Sequence, residues 1–421
     1  MQEHKTRVAT LNKFVKSSVA LLLAINLGGC STISGWFQDD EEQEIRKLPE
    51  ITMEFETQIK WTESVGDGVE NYFSRLSPAV GYGKIFAADR EGKIVAFEPE
   101  TGKEIWSTNI SRKSKASSIS NLYGLFAGTV SAKISGGLTV AYDAVYFGTE
   151  DGIVYSLNQK DGSINWQTEV PSEVIAEPAS DVGILVVNTV SGTLLGLDAY
   201  TGEIKWQNDS DVPPLTLRGI SAPAAAAGGA IVGLANGRVR VNIIDTGLTA
   251  WEAVVAKPKG ATELDRIVDI DSKPLVFGGT VFLVSYGGSL AAIELRSGNV
   301  IWNREYASYR NVSIDGNRLF VTDNNSNIYA IDRRNGVELW SNGKLRKRNL
   351  TSATPVGDYI VVGDKYGYLH YFTQDEGKYV SRLAIGNDDE DEAIYNAPVY
   401  ADGVFVVQTR DGEISVVSTP E

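Results

Sequence analysis

Asp151-Gly152-Ile153-Val154-Tyr155-Ser156-Leu157, followed by Gly162 and Trp166, is one copy of a unit that recurs along most of the chain. Reduced to Gly-x9-Gly-x3-Trp, the pattern stands again at Gly92, Gly102 and Trp106, at Gly192, Gly202 and Trp206, at Gly237, Gly247 and Trp251, and at Gly288, Gly298 and Trp302. Two further copies are degraded. Ser326 replaces the first glycine before Gly336 and Trp340, and Ser381 replaces the tryptophan after Gly367 and Gly377. An eighth copy starts at Asp411-Gly412 and reaches Glu421 before its second glycine, while Ile59-Lys60-Trp61 reads like Ile204-Lys205-Trp206, the close of a unit. An array that opens on the end of a unit and stops on the start of one implies a ring. Units of about 40–50 residues suit four short strands. The expected fold is all-β: an eight-bladed β-propeller with four-stranded antiparallel blades, closed by an N-terminal strand pairing with the C-terminal blade.

The third copy shows the inside of a unit. Ile184 to Asn188 is a strongly apolar strand, Ser191-Gly192 turns the chain, Thr193 to Asp198 returns it, and Glu203 to Trp206 forms the outer strand after Thr201-Gly202. Prolines at Pro78, Pro178, Pro223, Pro355 and Pro398 precede innermost strands. The glycines supply the positive φ of tight turns, and each tryptophan is expected to lie flat between blades, where such a ring removes about 150–250 Å² from water. These repeated residues are architecture. One blade cannot cover both of its faces, so it is stable only between two neighbours.

The first 29 residues read as a secretion signal: Lys5, Arg7, Lys13 and Lys16 precede a short apolar run, Ser17 to Leu27, too short to span a bilayer. It ends in Leu27-Gly28-Gly29-Cys30, which resembles the bacterial lipobox, and Cys30 is the sole cysteine of the chain. Cys30 is thus the expected site of lipidation, with the acyl chains as a lasting membrane anchor. Ser31, rather than Asp, points to the outer membrane. Residues 30–50, with Asp39-Asp40-Glu41-Glu42, read as a flexible tether, and 51–421 as the propeller. Removing the four basic and one acidic residue of 1–29 takes the net charge from −15 to −18, which disfavours nucleic acid. With one histidine beyond the signal, His370, and no second cysteine, neither a zinc site nor a cofactor is expected.

Function lies where the period breaks. Successive tryptophans are 45, 60, 40, 45, 51 and 38 residues apart, so the excess falls after Trp106 and Trp251. Loops from one outer strand to the next inner strand emerge on a single face. Four stand out: 107–130, 208–219, 252–273 and 386–393, the last with the acidic run Asp388 to Glu392. The second and third flank the fourth blade and together offer Leu215 and Leu217 beside Arg218, Asp269 and Asp271. Exposed leucines ringed by charge have the anatomy of a protein contact. The acidic run reads as a solvated loop, and the basic stretch Lys344 to Arg348 either answers it across the molecule or keeps a loop soluble.

The unit Asp-Gly-x-hydrophobic-Tyr-x-Leu with its following Gly-x3-Trp resembles the repeat of pyrroloquinoline quinone (PQQ) type propellers, found in quinoprotein dehydrogenases and in the outer-membrane assembly lipoprotein BamB. The dehydrogenase resemblance implies a vicinal cysteine pair and a bound calcium, and this chain lacks the second cysteine. The BamB family is similar from lipobox to last strand, including Leu215-Thr216-Leu217-Arg218-Gly219-Ile220-Ser221 and Thr262 to Asp271. That resemblance implies a non-enzymatic scaffold of the outer-membrane β-barrel assembly (BAM) complex, lipid-anchored and facing the periplasm. It further implies docking through Leu215, Leu217, Arg218, Asp269 and Asp271 on the periplasmic POTRA domains of BamA, with unfolded outer-membrane proteins as further partners. The alternative is a PQQ-dependent or other small-molecule-binding periplasmic propeller.

Overall fold

The computed structural model describes residues 40–113, 129–217, 220–386, 388 and 390–420. The signal, Cys30, Trp36 and Arg218 lie outside the described residues. Residues up to Leu48 form a unit of their own, whose described part is a short helix, Asp40–Arg46.

Within Pro49–Glu421 the described strands assemble into eight antiparallel sheets of four, with one further pair, Arg112–Lys113 and Thr129–Val130. The first blade runs from Ala79 to Asn109 and the second from Thr139 to Glu169; the seventh runs from Thr354 to Ala384. The eighth takes three strands from the C-terminal region, Val399–Ala401, Val404–Gln408 and Glu413–Val417. Its outer strand is β1, Ile59–Ser64. β1 pairs antiparallel with Glu413–Val417, from Ile59 opposite Val417 to Ser64 opposite Glu413. The expected closure is therefore realised, and it covers the edge that Glu413–Val417 would otherwise leave unpaired.

Each outer strand shows the same irregularity. Its register slips by one residue just before the tryptophan, or before Ser381 in blade seven, as between Trp206 and Ile204 opposite Gly196 and Leu197. Such a bulge re-aims a side chain and sharpens the twist. The re-aimed indole leaves its own blade: Trp206 Nε1 donates to the Ile244 carbonyl at 2.6 Å and Trp166 Nε1 to the Ala199 carbonyl at 3.0 Å, each on the next blade. Trp61 does the same across the closure, to Pro99 at 2.8 Å.

The second glycine of each unit receives that ring. A Cβ on Gly202 would stand 2.6 Å from the ring of Trp166, and one on Gly247 2.6 Å from that of Trp206. Both glycines also hold φ near +70°, which L side chains rarely adopt (75° and 72°). The spacing between glycine and tryptophan is thus the spacing between a socket for the preceding blade and a plug for the following one. Residues two positions past the tryptophan add a clasp: Thr108 Oγ1 bonds the Gly162 carbonyl and Thr168 Oγ1 that of Gly202, each at 2.7 Å.

The joint between blades seven and eight breaks this rule on both sides. Ser381 stands where the tryptophan would be, and the eighth copy has no second glycine. The segment before β1 fills the gap. Phe55 packs on Tyr359 and Tyr371, its carbonyl accepts from Ser381 Oγ at 2.7 Å, and Thr57 Oγ1 bonds the Tyr371 hydroxyl at 3.2 Å. Buried apolar clusters accordingly bridge neighbours, as where Tyr146, Val154 and Trp166 of blade two meet Leu185, Val187 and Leu195 of blade three.

Candidate functional site

Two loops on one face frame the fourth blade. The first leaves the outer strand Ile204–Asp209 and reaches the inner strand Ala224–Ala226; the second connects Thr249–Val254 to Leu275–Phe277. The second divides into two parts of opposite character. Residues 257–266 are all exposed, while Ile267 to Ser272 are all buried. The Ile270 amide donates to the Leu234 carbonyl, and the Asp269 carbonyl accepts from Tyr286 N at 2.9 Å, so this stretch is pinned between blades four and five.

The expected site residues separate accordingly. Leu215 is exposed and Leu217 half-buried, whereas Asp269 and Asp271 are 1% and 3% exposed. The expectation that both aspartates form a charged rim around the leucines is therefore corrected. They lie beneath the surface because the apolar residues Ile267, Val268 and Ile270, spaced among them, draw the whole stretch inward. Asp269 Oδ2 accepts the Leu217 amide at 2.7 Å. The Asp271 and Ile220 carbonyls share Arg75 Nη1 at 2.8 and 2.9 Å, and Ser221 Oγ reaches the Ser272 carbonyl at 2.9 Å. The carboxylate and these carbonyls set the height at which the Leu215–Leu217 segment stands. Arg218 lies outside the described residues.

Between the exposed parts runs a groove of about 580 Å³, with Pro213, Pro214 and Leu215 on one wall and Pro258, Glu263 and Arg266 on the other. Leu264, 70% exposed, projects from the second wall's loop. A reciprocal pair, Thr262 N to Asp265 Oδ2 at 3.2 Å and Asp265 N to Thr262 Oγ1 at 3.1 Å, fixes the turn that carries it. Sequence reasoning did not single out Leu264. Its signal was a lone apolar residue among Glu263, Asp265 and Arg266, a placement that burial does not account for.

Burial and then the charge of Asp271 raise the Asp269 carboxyl to about 7. The folded state therefore binds this proton more tightly than the unfolded chain, and stability is lost as pH rises from about 4 through 7. Asp269→Asn keeps an acceptor for Leu217 and removes the ionisation. It is expected to raise Tm by about 2–4 °C relative to wild type at pH 8, with the gain shrinking through pH 5 and vanishing near pH 4, as checked by paired thermal melts.

Among the described residues no three His, Cys, Asp or Glu are grouped to hold a metal ion. The profile of the family described as outer membrane protein assembly factor BamB matches residues 55–134 and 128–342. The chain is 52% identical over 401 residues to the outer membrane protein assembly factor BamB of Alteromonas naphthalenivorans, covering 95% of this chain and 96% of that one. The crystal structure of BamB from Moraxella catarrhalis superimposes with a TM-score of 0.73 at 25% identity, over 86% of this chain and 99% of that one. The quinohemoprotein alcohol dehydrogenase of Comamonas testosteroni shares the fold alone, with a TM-score of 0.64 at 12% identity over 90% of this chain and 80% of that one. Repeat, closed ring, loops and relatives agree, and the chain belongs to the family of outer membrane protein assembly factor BamB.

Proposed function

We propose that this protein is a scaffold subunit of the BAM complex, without chemistry of its own, that docks on the POTRA domains of BamA through the loops flanking blade four. The family name carries the assembly role and the outer-membrane association. Support for the site is the exposed apolar pair Leu215 and Leu264, raised on two braced loops either side of one groove. In this reading Leu215 and Leu217 fill a depression on the partner, and Arg218 bonds a carboxylate in bidentate fashion. Asp269 and Asp271 hold the loop that presents them. Cys30 carries the acyl anchor after removal of residues 1–29, and the segment up to residue 50 tethers the ring on the periplasmic side. Unfolded outer-membrane proteins are further partners in this reading.

Leu215→Asp and Arg218→Ala are each expected to weaken binding of purified BamA periplasmic domains by about tenfold or more, since each removes an anchor worth roughly 1.4 kcal/mol or above. Tm should stay within about 2 °C of wild type, because Leu215 is exposed. Unchanged affinity in both variants would overturn the site. A loss of affinity matched by a loss of fold would assign these residues to structure instead.

A further inference from the structure

The connection segments meet at the ring axis in a cavity of about 630 Å³, lined from every blade but the fifth. Arg75, ahead of blade one, reaches across the axis: its Nη1 donates to carbonyls of Ile220 and Asp271, which precede blades four and five. Its Nε and Nη2 have no hydrogen-bond partner among the described residues. Arg310 stands nearby, 7% exposed, tied to the Asp323 carbonyl at 3.0 Å and to Asn349 Oδ1 at 2.6 Å, with its guanidinium 4.5 Å from the Tyr309 ring. Arg410 also lines the wall, ion-paired with Asp391 at 3.9 Å. Against these the lining holds one carboxylate, Glu177, already paired with Lys273. Asp271 is buried behind Arg75 and compensates part of its charge.

Among the described residues, Arg75 and Arg310 beside one paired carboxylate make a positive spot on a chain of net charge −15. The rim is aromatic. Phe73 is 63% and Tyr72 54% exposed, and Tyr395 faces the same space. Large rings left in water at the mouth of a cationic cavity suit a ligand with an apolar ring beside an anionic group. Guanidinium groups match a planar carboxylate, through charge-assisted and bidentate bonds.

We infer that this axial cavity binds an organic carboxylate carrying an aromatic ring, with Arg75 on the anion and Phe73 on the ring. The cavity shares no lining residue with the groove beside blade four, and Arg75 also braces the loop that borders that groove. A free small acid and the terminal carboxylate of a polypeptide share this chemistry.

The test uses the full-length chain and isothermal titration with N-acetylphenylalanine, its amide, and a decapeptide ending in phenylalanine. Saturable binding of the acid is expected, at least about tenfold tighter than of the amide. Phe73→Ala, at an exposed position, should weaken the acid by about three- to tenfold with Tm unchanged, and Arg75→Gln by about tenfold or more. A decapeptide about tenfold tighter than the acid would identify a chain terminus as the natural occupant, and equal affinity a free acid. Equal binding of acid and amide, no saturation by ~10 mM, or affinities unmoved in both variants would overturn the inference.

Discussion

Trp206→Ala is expected to lower the unfolding free energy by about 3–5 kcal/mol, read from the shift in urea midpoint at constant slope. The indole is 8% exposed and packs with Val186, Ala230, Val232 and Ile244, residues of two blades. Truncation leaves a cavity in the joint and strips the Ile244 carbonyl of its 2.6 Å donor. Collapse cannot heal the gap, because the ring fixes the angle between neighbours. Gly247→Val attacks the same contact from the socket side: its Cβ would meet the indole at 2.6 Å, with φ at +72°. The two substitutions share one contact, so their combined cost should fall short of the sum by about 1 kcal/mol or more. Ile204→Ala, two residues away at 40% exposure, should stay below about 1 kcal/mol. A Trp206→Ala cost no larger than that of Ile204→Ala would refute the plug-and-socket account.

This contact explains why so much of the fold was legible. Tryptophan is rare in the chain, and both it and the glycine that receives it are needed for a stereochemical reason that repeats, so the period stands out from the other positions. Trp61 revealed the closure because the first outer strand must carry the same plug as the others. What escaped was set by contacts without local period. Asp269 and Asp271 looked like rim charges from their neighbours in sequence. Their burial follows from Leu234 and Tyr286, in the turns of blades four and five, which bond the backbone of Ile270 and Asp269. Arg75 gave no signal either, since its partners lie about 145 and 196 positions away, across the ring axis. Phe55 fills a joint that sequence could mark only as degraded at Ser381. The basic stretch Lys344 to Arg348, read as a counterpart of the acidic run or as a solubilising loop, contributes Arg348 to the interior, 1% exposed.

Arg348 supplies the second large effect. In blade seven its Nε donates to Asp364 Oδ2 at 2.6 Å, and its guanidinium lies 4.6 Å from the Tyr366 ring. His370 Nε2 meets the same oxygen at 2.9 Å while its Nδ1 faces the Tyr379 hydroxyl at 2.7 Å. Asp364 Oδ1 accepts the amides of Tyr366 and Tyr368 at 3.0 and 2.9 Å. Asp364→Asn leaves the shape and withdraws the carboxylate charge that faces a buried guanidinium. The expected cost is about 3–5 kcal/mol, whereas the double replacement Asp364→Leu with Arg348→Met should cost much less, because no unpaired charge remains. The same group makes stability depend on pH. Burial would raise the Asp364 carboxyl, but His370, Arg348 and the Tyr368 amide outweigh it and hold it below the usual range. Burial lowers His370, with Arg348 adding to the effect and Asp364 opposing it. Both groups thus bind protons more weakly folded than unfolded, so both contributions are lost on acidification: that of His370 from about pH 6.5 downward, that of Asp364 only below about pH 4. Asp269 acts with the opposite sign between about pH 4 and 7, so the decisive quantity is a difference between variants. His370→Gln, compared with wild type by urea denaturation at pH 7 and pH 5, should lose less stability over that interval by about 1 kcal/mol or more. Parallel profiles for the two proteins would show that the imidazole takes up its proton alike in the folded and unfolded states and that the network is a packing device alone.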